Sequence, residues 1–136
     1  MSLSPARRAT LARLAALMAP GDGTMPSATA IDLAAAPAER VLQISAHLSA
    51  PLCTFLDAAE GVVDLPGLEA VAQADREGFA ALSVTVANAY FMHPDVRRAI
   101  GYPGQEARDS SVGLSETDRT LLEIVRRRGA IYRDEQ

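Results

Sequence analysis

The sequence predicts an all-α fold, a single-domain helical bundle of about five to seven helices with a long central helix, spanning residues 1–136. Three observations carry this prediction. Apolar residues recur at helical spacing through most of the chain, Pro and Gly fall where helices would start and stop, and no period-two segment competes. With 136 residues and 49% apolar content, the chain can close a hydrophobic core without disulfides or metal. Much of that content is alanine, so the helices must approach one another closely over small side chains.

Ser4 and Pro5 have the form of an N-cap and a first-turn proline for a helix over 5–19. Its Leu11, Leu14, Ala15 and Met18 make one buried stripe, and Pro20-Gly21 stops it. A turn-rich loop over 21–26 leads to Ser27, a cap for a short helix over 28–35, and Pro37 restarts the chain. Val41, Ile44, Leu48, Leu52, Phe55 and Leu56 then share a helical face up to Gly61, with Pro51 either kinking the helix or opening a new one and a break expected near 49–51. After a loop over 61–67, the stretch 68–91 reads as the central helix. Its stripe is Val71, Ala74, Phe79, Leu82, Val86 and Ala89, with Phe79 one position late. His93-Pro94 ends this helix, and Pro94 opens a short one that stops at Gly101. Tyr102-Pro103-Gly104-Gln105 reads as a tight turn with Pro second and Gly third, and 105–113 is polar and irregular. Ser115 and Asp118 resemble a capping box for a last helix over 115–129, which ends in Arg126–Arg128 and Gly129.

Charge and composition narrow the function. Acidic residues outnumber basic ones by 17 to 13, a net charge of −4, which argues against a nucleic-acid partner because phosphate binding needs a clustered positive field. Every basic residue other than the two histidines is arginine, so Schiff-base and phosphate-loop lysine chemistry is excluded. The lone Cys53 forms no internal disulfide and reads as a small buried hydrophobe. No stretch reaches the ~18 consecutive apolar residues of a membrane span, so the chain reads as soluble. Arg7-Arg8 before an apolar segment could suggest a twin-arginine export signal, but Arg13 interrupts that segment, and an amphipathic first helix explains it better. The expected location is therefore cytoplasmic as encoded, and periplasmic only with a co-exported partner.

No Cys-x-x-Cys, His-x-x-x-His or Gly-x-Gly-x-x-Gly spacing occurs, so no catalytic, cofactor-binding or metal-ligating residue is assigned. His47 reads as structural or solvent-facing. His93 and Asp95, on either side of Pro94, could act as a base and its orienter in a stand-alone small enzyme or ligand-binding domain; equally, the triplet could cap the helix that follows. Arg97-Arg98 and Arg126–Arg128 could form an anion or partner surface, or a solvated face. Three of the six aromatic residues fall between 90 and 102, and this concentration points to a protein-binding segment. Its candidates are Tyr90, Phe91, His93, Arg97, Tyr102 and Gln105. The competing reading makes Phe91 a core anchor that closes the central helix against the first.

Three runs carry a resemblance to a known family: Asp75-Arg76-Glu77-Gly78-Phe79, Tyr90-Phe91-Met92-His93-Pro94-Asp95-Val96, and Ile100-Gly101-Tyr102-Pro103-Gly104. With Leu14 to Pro20, Gly21-Asp22-Gly23 and Pro26-Ser27-Ala28, they look like the gluconate 2-dehydrogenase subunit 3 family over roughly residues 10–105. That resemblance implies a small helical accessory subunit that stabilises, matures or escorts a large flavin-dependent dehydrogenase of the glucose-methanol-choline type, often beside a cytochrome subunit. It places FAD and the oxidation of a sugar or alcohol on the partner and no cofactor on this chain. The stretch after Gln105 lies beyond the resemblance.

Overall fold

The computed structural model describes residues 3–105 and 113–129. Its helices are α1 (Pro5–Met18), α2 (Ala36–Ile44), α3 (Ser49–Ala58), α4 (Leu65–Ala74), α5 (Arg76–Met92), α6 (Pro94–Ala99) and α7 (Glu116–Arg128), with a 3-10 turn at Ala46–Leu48. No strand occurs among the described residues, so the fold is all-α as predicted. The chain divides into two units, Met1–Gly104, which holds α1 to α6, and Gln105–Gln136, which holds α7. Most of the irregular stretch expected over 105–113, at 106–112, and the tail after Gly129 lie outside the described residues. Among the described residues no helix is long and apolar enough to cross a membrane.

In the first unit, α5 packs against α2, α3, α4 and α6, and α1 lies on α3. Ser4 caps α1 by accepting from the Arg7 N–H at 3.3 Å, and Leu11, Leu14 and Ala15 turn inward as the spacing predicts. Arginines fasten the flanks of this helix. Arg7 meets both carboxylate oxygens of Asp57 at 2.8 and 2.7 Å, Arg8 pairs with Glu39, and Arg13 Nε donates to the Val62 carbonyl at 2.6 Å. The guanidinium of Arg7 holds the Asp57 carboxyl below the usual carboxylate range.

Four expectations are corrected. Residues 28–35 form successive turns rather than a helix, because Asp32 takes a left-handed φ of +47°, which Asp tolerates but which interrupts the ladder. Ser27 still caps the first turn, accepting from the Ala30 N–H at 3.0 Å. The break expected near 49–51 falls earlier, at Ser45, whose φ and ψ of −121° and 64° leave the helical region. Of the two roles open to Pro51, it takes that of opening a new helix: it is the third residue of α3, where its missing N–H would have had no intrahelical partner. Ile44 leaves the stripe it was assigned to and is exposed.

The fourth correction concerns the central helix, which is two helices. Asp75 separates α4 from α5 with φ −134° and ψ 85°, and its Oδ1 accepts from the Gly78 N–H at 2.8 Å as the N-cap of α5. Gly78 has a second reason to be glycine. A Cβ there would lie 2.7 Å from Phe55 Cβ, and Phe55 is a fully buried side chain of α3 whose ring meets that of Phe79 at 6.1 Å. Beyond this point Ala81, Leu82, Val86, Ala89 and Tyr90 of α5 are buried with Val41 and Leu42 of α2 and with Leu52 and Leu56 of α3.

The second unit contains α7, capped reciprocally. Asp118 N–H donates to Ser115 Oγ at 3.1 Å, Ser115 N–H donates to Asp118 Oδ2 at 3.1 Å, and Gly129 ends the helix with φ +72°. None of its side chains is buried.

The Gly78 contact sets a test whose sign is diagnostic. In an unhindered helix, Gly→Ala stabilises by about 1 kcal/mol. Gly78→Ala is expected instead to destabilise by about 1–3 kcal/mol, because its methyl must displace Phe55 and the capping carboxylate. Urea denaturation of the variant reads the difference.

Candidate functional site

The aromatic segment begins in the last turn of α5, and the phase of that helix sorts its side chains. Tyr90 follows Leu82 and Val86 on the buried face and is 8% exposed, while Phe91 and Met92, rotated by about 100° per residue, are 55% and 45% exposed. Two expectations are corrected by this arrangement. Tyr90 is not presented to a partner: its hydroxyl donates to the Pro26 carbonyl at 2.6 Å and pins the loop before α2 to the end of α5. Burial, reinforced by the nearby Asp22 charge, pushes its phenol above the ordinary value, so it stays a neutral donor. Phe91 is not the core anchor of the competing reading; it lies outside, edge-on to Tyr90 with ring centroids 5.4 Å apart.

His93 joins α5 to α6. Its extended backbone (φ −68°, ψ 134°) is the conformation that a following proline favours, and its Nδ1 accepts from the Asp95 N–H at 3.3 Å. Asp95 turns elsewhere: its Oδ1 accepts from Arg98 at 2.7 Å, whereas its nearest approach to His93 Nδ1 is 4.0 Å. The His-Pro-Asp triplet is thus built as a cap, and a 4.0 Å separation makes no hydrogen bond between base and orienter. His47 is exposed and Cys53 is half-buried against the core. No group of three or more His, Cys, Asp or Glu that could hold a metal ion is assembled among the described residues.

After α6 the chain turns back on Arg97. The guanidinium carbon of Arg97 lies 5.5 Å from the Tyr102 ring centroid, and Nη2 of the same group donates to the Pro103 carbonyl at 3.2 Å. The Tyr102 N–H returns to the Arg97 carbonyl at 2.9 Å, so backbone and side chain hold the loop together. Gly101 and Gly104 take φ of +69° and +97°, and a Cβ on Gly104 would run into the Arg97 guanidinium. Pro94, Arg97, Arg98, Gly101, Tyr102 and Pro103 line an open groove of about 540 Å³. Ile100, three residues after Arg97, is 49% exposed, and Tyr102 is 53% exposed.

Arg97 and Tyr102 are brought together, the capping His93 and the exposed Phe91 lie in the same segment, and Tyr90 belongs to the core. Gln105 is exposed and begins the second unit. Met92, Ile100 and the groove prolines are members that the sequence reading passed over. For Met92 the signal was present: counting helical phase from Leu82, Val86 and Ala89 puts Tyr90 inside and positions 91 and 92 outside.

Two variants test this division of labour. Tyr90→Phe leaves the Pro26 carbonyl without its donor and is expected to cost about 1–2 kcal/mol in denaturant unfolding, against less than about 0.5 kcal/mol for Phe91→Ser. Gly104→Val is expected to cost about 1–3 kcal/mol, through positive-φ strain and displacement of Arg97, read as a lowered Tm.

Compared with protein-family models, curated proteins and solved structures, this chain matches none, so the role of the surface rests on its own geometry and chemistry.

Proposed function

We propose that this chain is a non-catalytic accessory subunit that binds a large flavin-dependent sugar or alcohol dehydrogenase through the face formed by Phe91 to Gly104. The observation that carries the reading is the stacked Arg97–Tyr102 pair, fixed at 5.5 Å and tied to Pro103 on an open groove. Arginine and tyrosine dominate interface hot spots, because each buries a large area while keeping a polar handle. A pair already held in place loses little rotamer freedom on binding. Phe91, Met92 and Ile100 of the same segment are exposed and add apolar area to it. The resemblance of Tyr90–Val96 and Ile100–Gly104 to the gluconate 2-dehydrogenase subunit 3 family supports the choice of partner, with FAD and the chemistry on that partner and a cytochrome as a further component.

The test is tagged purification from native cells, with identification of co-purifying proteins by mass spectrometry. A stoichiometric flavoprotein dehydrogenase is expected. Arg97→Ala combined with Tyr102→Ala should weaken the complex by roughly 2–4 kcal/mol while the isolated subunit stays folded, as hot-spot truncations do. Normal co-purification of the double variant, or recovery of no flavoprotein with the parent chain, would overturn the reading.

A further inference from the structure

The side-chain cap on α6 works only while the His93 ring is neutral. Nδ1 accepts from the Asp95 N–H at 3.3 Å, so that nitrogen carries no hydrogen and the ring proton sits on Nε2. A ring that gains a second proton from solvent has a hydrogen on Nδ1 and can only donate there. Its charge would also stand at the start of α6, against the helix dipole. Among the described residues, the carboxylate within ion-pair reach of Nδ1 is that of Asp95, whose Oδ2 lies 4.0 Å away while its Oδ1 accepts from Arg98 at 2.7 Å. Other charges are placed elsewhere. α5, which packs on α6, has charged side chains only at Arg76 and Glu77 in its first turn, at the far end from His93. Asp22, whose charge acts on the Tyr90 phenol, belongs to the loop before α2. Within α6 the Arg97 guanidinium is engaged with Tyr102 and Pro103.

We infer that His93, Asp95 and Arg98 form a proton-driven exchange switch on the edge of the groove. The neutral ring accepts from the Asp95 N–H and leaves the carboxylate to Arg98; the protonated ring takes the carboxylate and releases Arg98. Oδ2 has to come only about 1 Å nearer to make a charge-assisted hydrogen bond with the imidazolium. Arg98 is the partner that yields, because its side chain and that of Asp95 are 76% and 54% exposed, and exposed pairs contribute little. The His93 side chain, at 20%, is better shielded. The backbone keeps its place in both states, since the Arg97 N–H donates to the His93 carbonyl at 3.0 Å and Pro94 restricts the turn. Arg98 lines the groove, so acidification adds a free guanidinium to it. That consequence rests on the reading of the groove as a binding face, whereas the exchange itself does not.

Nitrogen-15 NMR of the full chain, titrated between about pH 8 and about pH 5, where histidine rings commonly gain a proton, tests the switch. At the alkaline end the His93 ring is expected to be the Nε2–H tautomer. As it gains its proton, the Asp95 amide and the Arg98 guanidinium signals should shift with the midpoint of the ring, while those of Arg97 hold still. The exposed His47 is the internal reference and should titrate without moving these signals. His93→Asn supplies a side chain that caps without titrating. It should abolish the transition at Asp95 and Arg98 and leave the helical circular dichroism unchanged. An Nδ1–H tautomer at the alkaline end overturns the inference, as do Arg98 signals that ignore the His93 midpoint or a transition that survives in the His93→Asn variant. All of these are read on the isolated chain, so they hold whether or not a flavoprotein co-purifies with it.

Discussion

The first unit depends on one close approach, that of the start of α5 to Phe55 of α3. The chain breaks at Asp75 so that α5 can start on a new axis, the Asp75 carboxylate satisfies an N–H that the new helix leaves unpaired, and Gly78 removes the side chain that would hold the helices apart. Alanine and glycine are the means by which a chain poor in large side chains reaches protein-like packing density. With α5 in place, α2 and α3 close on its other residues, and the buried list reads as one core centred on this helix.

The candidate surface follows from the same axis. Because the direction and rotation of α5 are set at Gly78, its last turn directs Tyr90 into the core and Phe91 and Met92 outward, and His93-Pro94 changes the chain's direction there. Pro94 restricts the backbone of His93 while the imidazole caps the helix that follows. Arg97 then leans on Tyr102 from a short helix held at both ends. The surface is rigid because core elements orient it, which is the usual relation between a scaffold and a functional loop.

Much of this was legible in the residues. Ser4-Pro5, Ser115 with Asp118, His93-Pro94 and the glycine at 104 act through local chemistry, and each stands where its type predicts. The misreadings occurred where local and tertiary signals competed. The run 68–91 looks like one helix because helical periodicity survives a one-residue slip, and the late position of Phe79 was the trace of the break at Asp75. Nothing local to 28–35 shows that Asp32 takes a left-handed conformation, since that depends on how the segment reaches α2. Tyr90 and Phe91 are adjacent aromatics of equal propensity, and only the phase of the buried face tells anchor from surface.

The polar links of the first unit also bear on how long the native state lasts. Tyr90 to Pro26 joins positions 64 residues apart, Arg7 to Asp57 joins positions 50 apart, and Arg13 to Val62 joins positions 49 apart. Closing loops of this length costs conformational entropy that grows only logarithmically, at about 0.6 kcal/mol per doubling. Such bonds can form after the apolar contacts among α2, α3 and α5 have brought their ends together. Bonds formed past the folding barrier leave the folding rate almost untouched and act on the rate of unfolding. Clasps around α1 and Pro26 that close this late lengthen the lifetime of the folded unit rather than change the speed at which it is reached.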